Sequence, residues 1–223
     1  MYDAVIFDND GVLLELTGMP PHYEGARDAF EAVGVEDPDD DAVEAMSLGV
    51  TVPKLQRVCR RYDLDPATFW RARDRALAER QRAEMRAGRK EPYDDVDQLA
   101  ALDLPLGVVS SNQNATVEFA FEYFGLDRHF ETVYGRPPTV ESLRRKKPEP
   151  YYLEQALSDL GVHDALYVGD SETDVQAAHA AGIDAAFIRR PHRRDADLSV
   201  TPDYEIESLA DVVGLASGSS ASD

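Results

Sequence analysis

Residues 4–13 read Ala4-Val5-Ile6-Phe7-Asp8-Asn9-Asp10-Gly11-Val12-Leu13. Four apolar residues make a run of strand length, and the polar turn Asp8-Asn9-Asp10-Gly11 ends it. The same grammar recurs further on. Leu106 to Val109 runs into Ser110-Ser111-Asn112, and Ala165 to Val168 runs into Gly169-Asp170-Ser171-Glu172-Thr173-Asp174. Thr132 to Tyr134, Ala185 to Ile188 and Tyr204 to Ile206 are further strand candidates. Helical patterns separate them: 95–102, 115–124 before Gly125, 150–160 before Gly161, 173–181 before Gly182, and 208–213. Strands joined by helices of this length predict an α/β fold, a Rossmann-like parallel sheet with helices on both faces.

The stretch after the first strand breaks this rhythm and reads as helix after helix. The first begins near Pro21, with Tyr23, Ala26, Phe30 and Val33 spaced for one face and Gly34 past its end. Residues 41–48 and 52–62 follow, and a fourth helix starts at Asp65-Pro66 and runs through Phe69, Trp70, Ala76 and Ala83 toward Gly88. The expected organisation is a core from residues 1–15 and 94–223 and a four-helix cap from 16–93 inserted into it. Residues 216–223 are Gly/Ser-rich and are expected to form a disordered tail.

The chain has 43 acidic and 23 basic residues in 223, a formal net charge of -20. Such a charge makes nucleic acid and anionic membranes poor partners. The only lysines are Lys54, Lys90, Lys146 and Lys147. An acid-rich, lysine-poor surface resembles that of salt-adapted cytoplasmic proteins, so a halophilic protein is expected. No apolar run approaches the roughly 20 residues of a membrane-spanning helix. Asp3 and Asp8 interrupt the N-terminal apolar stretch, which reads against a signal peptide and for a cytoplasmic location.

Cys59 is the only cysteine and falls on an apolar helix face, so it reads as core filler. The histidines at 22, 129, 163, 179 and 192 lack metal-ligand spacing. Arg189 to Arg194 reads as a solvated basic loop that offsets the acidic surface. Phe69 and Trp70 read as cap packing, and Ser47 to Pro53 as a loop that contacts substrate.

Parallel sheets place ligands beyond the carboxyl ends of their strands. The polar residues expected there are Asp8, Asp10, Ser110, Ser111, Asn112, Asp170 and Asp174, together with Lys147 in the step Lys147-Pro148-Glu149-Pro150. Each motif alone is a common turn sequence. Together, in this order, they resemble the four motifs of the haloacid dehalogenase superfamily of hydrolases, of the type with an α-helical cap, as in phosphoglycolate phosphatases. The resemblance spans nearly the whole chain, with Asp8 and Asp10 matching the first motif, Ser110 the second, Lys147 the third, and Asp170 with Asp174 the acidic fourth.

That resemblance implies a phosphoric monoester hydrolase with a phosphoaspartyl intermediate on Asp8, Asp10 as acid and base, and one bound Mg²⁺. Elementary chemistry agrees with it. A carboxylate can attack phosphorus and later release phosphate to water, dividing one displacement into two. Two anions must then approach, which calls for a hard cation; Asp8, Asp170 and the Asp10 carbonyl are the expected ligands, with Asp174 supporting them. Lys147, Ser110 and the amides near Ser111 and Asn112 are expected to hold phosphoryl oxygens. The superfamily's dehalogenases lack the second aspartate, so Asp10 disfavours dehalogenation. The expected substrate is a small phosphorylated metabolite, phosphoglycolate or a sugar phosphate. A sugar phosphomutase and a non-catalytic phosphate-ligand sensor are the alternative readings.

Overall fold

The structure, a computed structural model, describes residues 1–216. Six strands form one sheet: β1 Ala4–Phe7, β2 Leu106–Gln113, β3 Thr132–Arg136, β4 Ala165–Gly169, β5 Asp184–Ile188 and β6 Tyr204–Ile206. Their order is β3-β2-β1-β4-β5-β6, and every neighbouring pair is parallel. The chain therefore works outward from β1 to β3 on one side, then crosses back to β4. The crevice at such a reversal is where doubly wound sheets bind ligands.

Side-chain alternation along β1 builds both layers of the core. Val5 and Phe7 join one apolar cluster, with Val117, Ala120 and Phe121 of α5 (Asn114–Phe124) and Leu209 and Val212 of α9 (Leu209–Ala216). Ala4 and Ile6 join the other, with Leu153 and Ala156 of α7 (Tyr151–Leu160) and Val175 and Ala178 of α8 (Glu172–Ala181). All four β1 residues are fully buried, as a strand covered on both faces must be.

Between β1 and β2 the chain passes through α1 Met19–Glu31, α2 Asp40–Ser47, α3 Val52–Arg61 and α4 Pro66–Arg86. Asp39, Thr51 and Asp65 cap the last three, each accepting from a backbone N–H three residues on. Phe30, Met46, Leu55, Phe69 and Trp70 form a third apolar cluster among these helices. Cys59 lies in that cluster, and burial pushes its thiol up to about 11, which suits core filler rather than a nucleophile.

The structure departs from the sequence reading at several places. Tyr23 is 37% exposed; α1 instead buries His22, Gly25, Ala26, Ala29 and Phe30, because Gly25 brings its backbone against Leu77 of α4. Residues 96–101 form a 3-10 helix, and a short α6, Ser142–Arg145, was not expected. β2 runs on to Gln113 through a register shift after Val109. Ala216, expected in the tail, ends α9 and is buried, and residues 217–223 of that tail lie outside the described residues.

Candidate active site

Asp8 leaves the end of β1 with its backbone N–H bonded to Val168 O at 2.8 Å. Ser110 lies in β2 and Asp170 follows β4, so the three come from adjacent strands. Oxygens of Asp8, Asp170 and Asp174 lie within 4.8 Å of one another, and all three residues are buried. Asp174 is held by the start of α8, where it accepts from Ser171 N at 3.0 Å and Ser171 Oγ at 2.6 Å. Two glycines permit this crowding. A Cβ on Gly169 would fall 2.3 Å from Asp174 Cβ, and one on Gly11, at φ +85°, would fall 2.4 Å from an Asp170 carboxylate oxygen.

Lys147 reaches the carboxylates from the segment before α7. Its Nζ lies 2.9 Å from Asp8 and 2.6 Å from Asp174, and it donates to Tyr167 Oη at 2.7 Å and Val109 O at 3.2 Å. Burial alone would pull this ammonium down, but Asp174 and Asp8 outweigh it and hold its pKa well above the usual lysine value. Burial pushes the Asp8 carboxyl up; Lys147 opposes that, while Asp174 and Asp170 add to it. Lys147 faces Asp8 and Asp174, Arg193 and His192 face Asp170, and the three clustered carboxylates offer oxygen donors alone. That donor set fits a hard divalent cation.

Asp10 faces a different environment two residues on. One carboxylate oxygen pairs with Lys90 Nζ, and the other accepts from Asn112 Nδ2 at 2.8 Å and Asn9 Nδ2 at 3.3 Å. Burial pushes Asp10 up, but Lys90 and these hydrogen bonds prevail and hold its carboxyl below the usual range. Lys90 itself is fully buried and donates to Gln81 Oε1 at 3.1 Å. Gln81 also bonds Asn112, so α4 and β2 meet over Asp10. His22 stands near this group, and burial together with Arg73 and Lys90 lowers its pKa to about 4 against the pull of Asp10.

Ser110 is buried and its Oγ accepts from Asn112 N at 3.1 Å, which leaves the hydroxyl proton free to donate. The Asn112 side chain is committed to Asp10 and Gln81. Asp8, Asp10, Ser110, Ser111 and Asn112 all line one cavity of about 490 Å³, closed on its other side by residues of α1 and α4 and by Leu48, Gly49 and Val50. The cavity is of small-ligand size.

A profile described as "Haloacid dehalogenase-like hydrolase" matches residues 5–188. The chain belongs to that family. Pyrophosphatase PpaX of Oceanobacillus iheyensis is 29% identical over 132 residues, covering 58% of this chain and 60% of the relative. A phosphoglycolate phosphatase of Yersinia pestis is 37% identical over 87 residues, covering 38% of this chain and 36% of the relative. The chain thus spans less than two thirds of the length of either curated relative. The crystal structure of CbbY from Rhodobacter sphaeroides in complex with phosphate superposes with a TM-score of 0.70 at 23% identity, covering 95% of this chain and 96% of that one. That likeness is one of fold.

In this haloacid dehalogenase-like chain, sequence reasoning missed several residues that the fold brings to the cavity. Lys90, Gln81 and His22 surround Asp10, while Arg73, Arg136 and Lys146 line the cavity. One signal was available: in a chain with four lysines, Lys90 and Lys147 are buried against the paired aspartates and Lys146 lines the same cavity. The basic stretch at 189–194 is also corrected. Arg190 is buried and binds Asp95 through two contacts of 2.8 Å, and His192 Nε2 lies 2.6 Å from Asp170 with Arg193 at 3.3 Å. Asp95 draws Arg190 inward, against an expectation of solvated charge, and Asp170 after β4 takes the contacts of His192 and Arg193, while Arg194 stays exposed.

Proposed function

We propose that this chain is a magnesium-dependent phosphatase that hydrolyses a small phosphate ester through a phosphoaspartyl intermediate on Asp8. The observation that carries the reading is the pairing of environments at the first motif. Asp8 sits in a buried carboxylate triad beside Lys147, and Asp10 turns away toward Lys90 and Asn112. Two carboxylates so close in sequence are thereby separated into two chemical roles.

Asp8, Asp170 and Asp174, with the backbone carbonyl of Asp10, would hold Mg²⁺. When bound, the ion supplies the positive charge that lets a carboxylate approach a phosphate dianion. Asp8 forms the bond to phosphorus as the ester oxygen leaves, and Asp10, which Lys90 holds ionised and which must therefore first take up a proton from solvent, gives that proton to the oxygen. Asp10 then takes a proton from the water that displaces phosphate from Asp8. Lys147 and the Ser110 hydroxyl hold phosphoryl oxygens, with the Ser111 amide beside them; the Asn112 N–H instead orients Ser110 by donating to its Oγ. Residues 16–93 act as a cap that keeps bulk water from the cavity. The names of the curated relatives support phosphoglycolate or pyrophosphate as the compounds to try first, and the resemblance read from the sequence adds a sugar phosphate. No described helix is long and apolar enough to cross a membrane, and the acidic composition supports a cytoplasmic site of action.

The test is Asp8→Asn assayed on a panel of phosphate esters at high KCl. Hydrolysis should fall by at least about 1,000-fold. Chelation should abolish wild-type turnover, and added Mg²⁺ should restore it. Activity that survives in the Asp8→Asn protein overturns the assignment.

A further inference from the structure

The cavity carries in its lining a second concentration of charge, of the opposite sign to the carboxylate triad. Arg73 of α4, Arg136 at the end of β3 and Lys146 all line it. Arg73 is 5% exposed and Arg136 2%. Their anionic neighbour is Asp74, which receives Arg136 through two contacts of 2.7 and 2.8 Å and Arg73 at 3.2 Å. Arg73 also donates to Met46 O at 3.0 Å and Ser47 O at 2.6 Å, which with Asp74 engages three of its five N–H groups. Both guanidinium groups stack on Trp70, at 4.9 and 4.6 Å from its ring centre. Trp70 lines the cavity, is almost fully buried, and its Nε1 donor has no partner among the described residues.

A structural explanation accounts for part of this group. Asp74 and Arg136 tie α4 to the sheet, and Arg73 holds the turn after α2. It does not account for Lys146. That ammonium donates one hydrogen bond among the described residues, to Val50 O at 2.8 Å, and an ammonium can donate three. Half-buried beside two buried guanidinium groups, it completes a set of three cations with Asp74 as their carboxylate, and such unbalanced charge away from bulk water is costly. Burial, reinforced by Arg136, Arg73 and Lys54, pushes Lys146 down to about 8 even with Asp74 opposing. Such an arrangement persists in folded proteins when a ligand supplies the missing charge.

We propose that Arg73, Arg136 and Lys146 form a second anion-binding pole, which recognises an acidic group, carboxylate or phosphate, on the part of the substrate that departs from phosphorus. This deepens the phosphatase reading and rests on it for the word substrate. The cavity is then bipolar. Its carboxylate end takes the reacting phosphoryl group, and its cationic end selects esters that carry a second negative charge.

Binding separates this proposal from catalysis. Wild-type protein and Lys146→Met, each with Mg²⁺, are titrated calorimetrically with methylphosphonate, which has one anionic group, and with phosphonoacetate, 3-phosphonopropionate and methylenediphosphonate, which have two. The wild type should bind at least one two-anion probe about tenfold or more tighter than methylphosphonate, and Lys146→Met should lose that preference. Arg73→Lys, which keeps the charge but loses the forked donor, should weaken the preference to a lesser degree. A preference confined to the carboxylate probes or to the bisphosphonate identifies which acid the pole takes. Equal or undetectable binding of all probes by the wild type, or a preference retained in Lys146→Met, overturns the pole. If the preference holds while no phosphate ester is hydrolysed, the pole stands and the phosphatase reading falls.

Discussion

Asp8 and Asp10 are separated by one residue and by opposite electrostatics. The difference comes from which lysine each meets: Lys147, shared with Asp174, or Lys90, carried in from the far end of the helical segment. Lys90 keeps Asp10 ionised against the upward push of burial. Replacing it with methionine removes the attraction and leaves the burial, so the Asp10 carboxyl should rise. The base half of the reaction needs the ionised form, and in Lys90→Met the acid limb of the kcat profile should therefore move to higher pH. A profile recorded at saturating substrate checks this. Lys146 gives a complementary test on stability. Its folded pKa of about 8 lies below the 10.5 of a free lysine, so protonating it opposes folding. That penalty is complete below the folded value and disappears as pH rises through the unfolded one. Lys146→Met should be more stable than wild type at pH 7 by on the order of 1 kcal/mol, with the gain gone near the free-lysine pKa, read from urea midpoints.

At the scale of elements, the strands and helix ends follow local chemistry, and the departures follow packing. Gly125, Gly161 and Gly182 end their helices in the left-handed conformation, as the sequence pattern anticipates. The buried face of α1 is set by contact instead. A Cβ on Gly25 would lie 2.8 Å from Leu77 Cδ1 and 3.2 Å from its Cα. Helix propensity favours Gly25→Ala by up to about 1 kcal/mol, but overpacking costs about 1–3 kcal/mol. Net destabilisation is therefore expected, visible as a lower urea midpoint with an unchanged slope. The extension of β2 past Val109 has a similar origin. Gln113 pairs with Arg136 and donates toward Asp74 O, contacts with partners far along the chain that no local pattern announces.

At the scale of the whole molecule, a net charge of -20 surrounds a cavity lined by the buried Arg73 and Arg136, while the buried Lys90 and Lys147 pair with Asp10 and Asp8 of its lining. Self-repulsion at the surface should weaken as the screening length contracts from about 10 Å at 0.1 M salt to about 3 Å at 1 M. Melting temperature should accordingly rise with KCl over that range. A flat response in differential scanning calorimetry would remove the case for salt adaptation.

The sequence by itself determined the α/β class and the helical stretch between the first two strands, and it singled out Asp8, Asp10, Ser110, Asp170 and Asp174 as site candidates, with Lys147 chosen through the family resemblance. Those features are written in local signals: strand-length apolar runs, helix caps, and polar turns at strand ends. Tertiary structure alone decided that Lys90 meets Asp10, that His192 and Arg193 turn in to Asp170, and that Arg73, Arg136 and Lys146 line one cavity. The reason is physical. These contacts join residues far apart in the chain, and their energy comes from desolvated charge, which exists only once the helices and the sheet have closed around it.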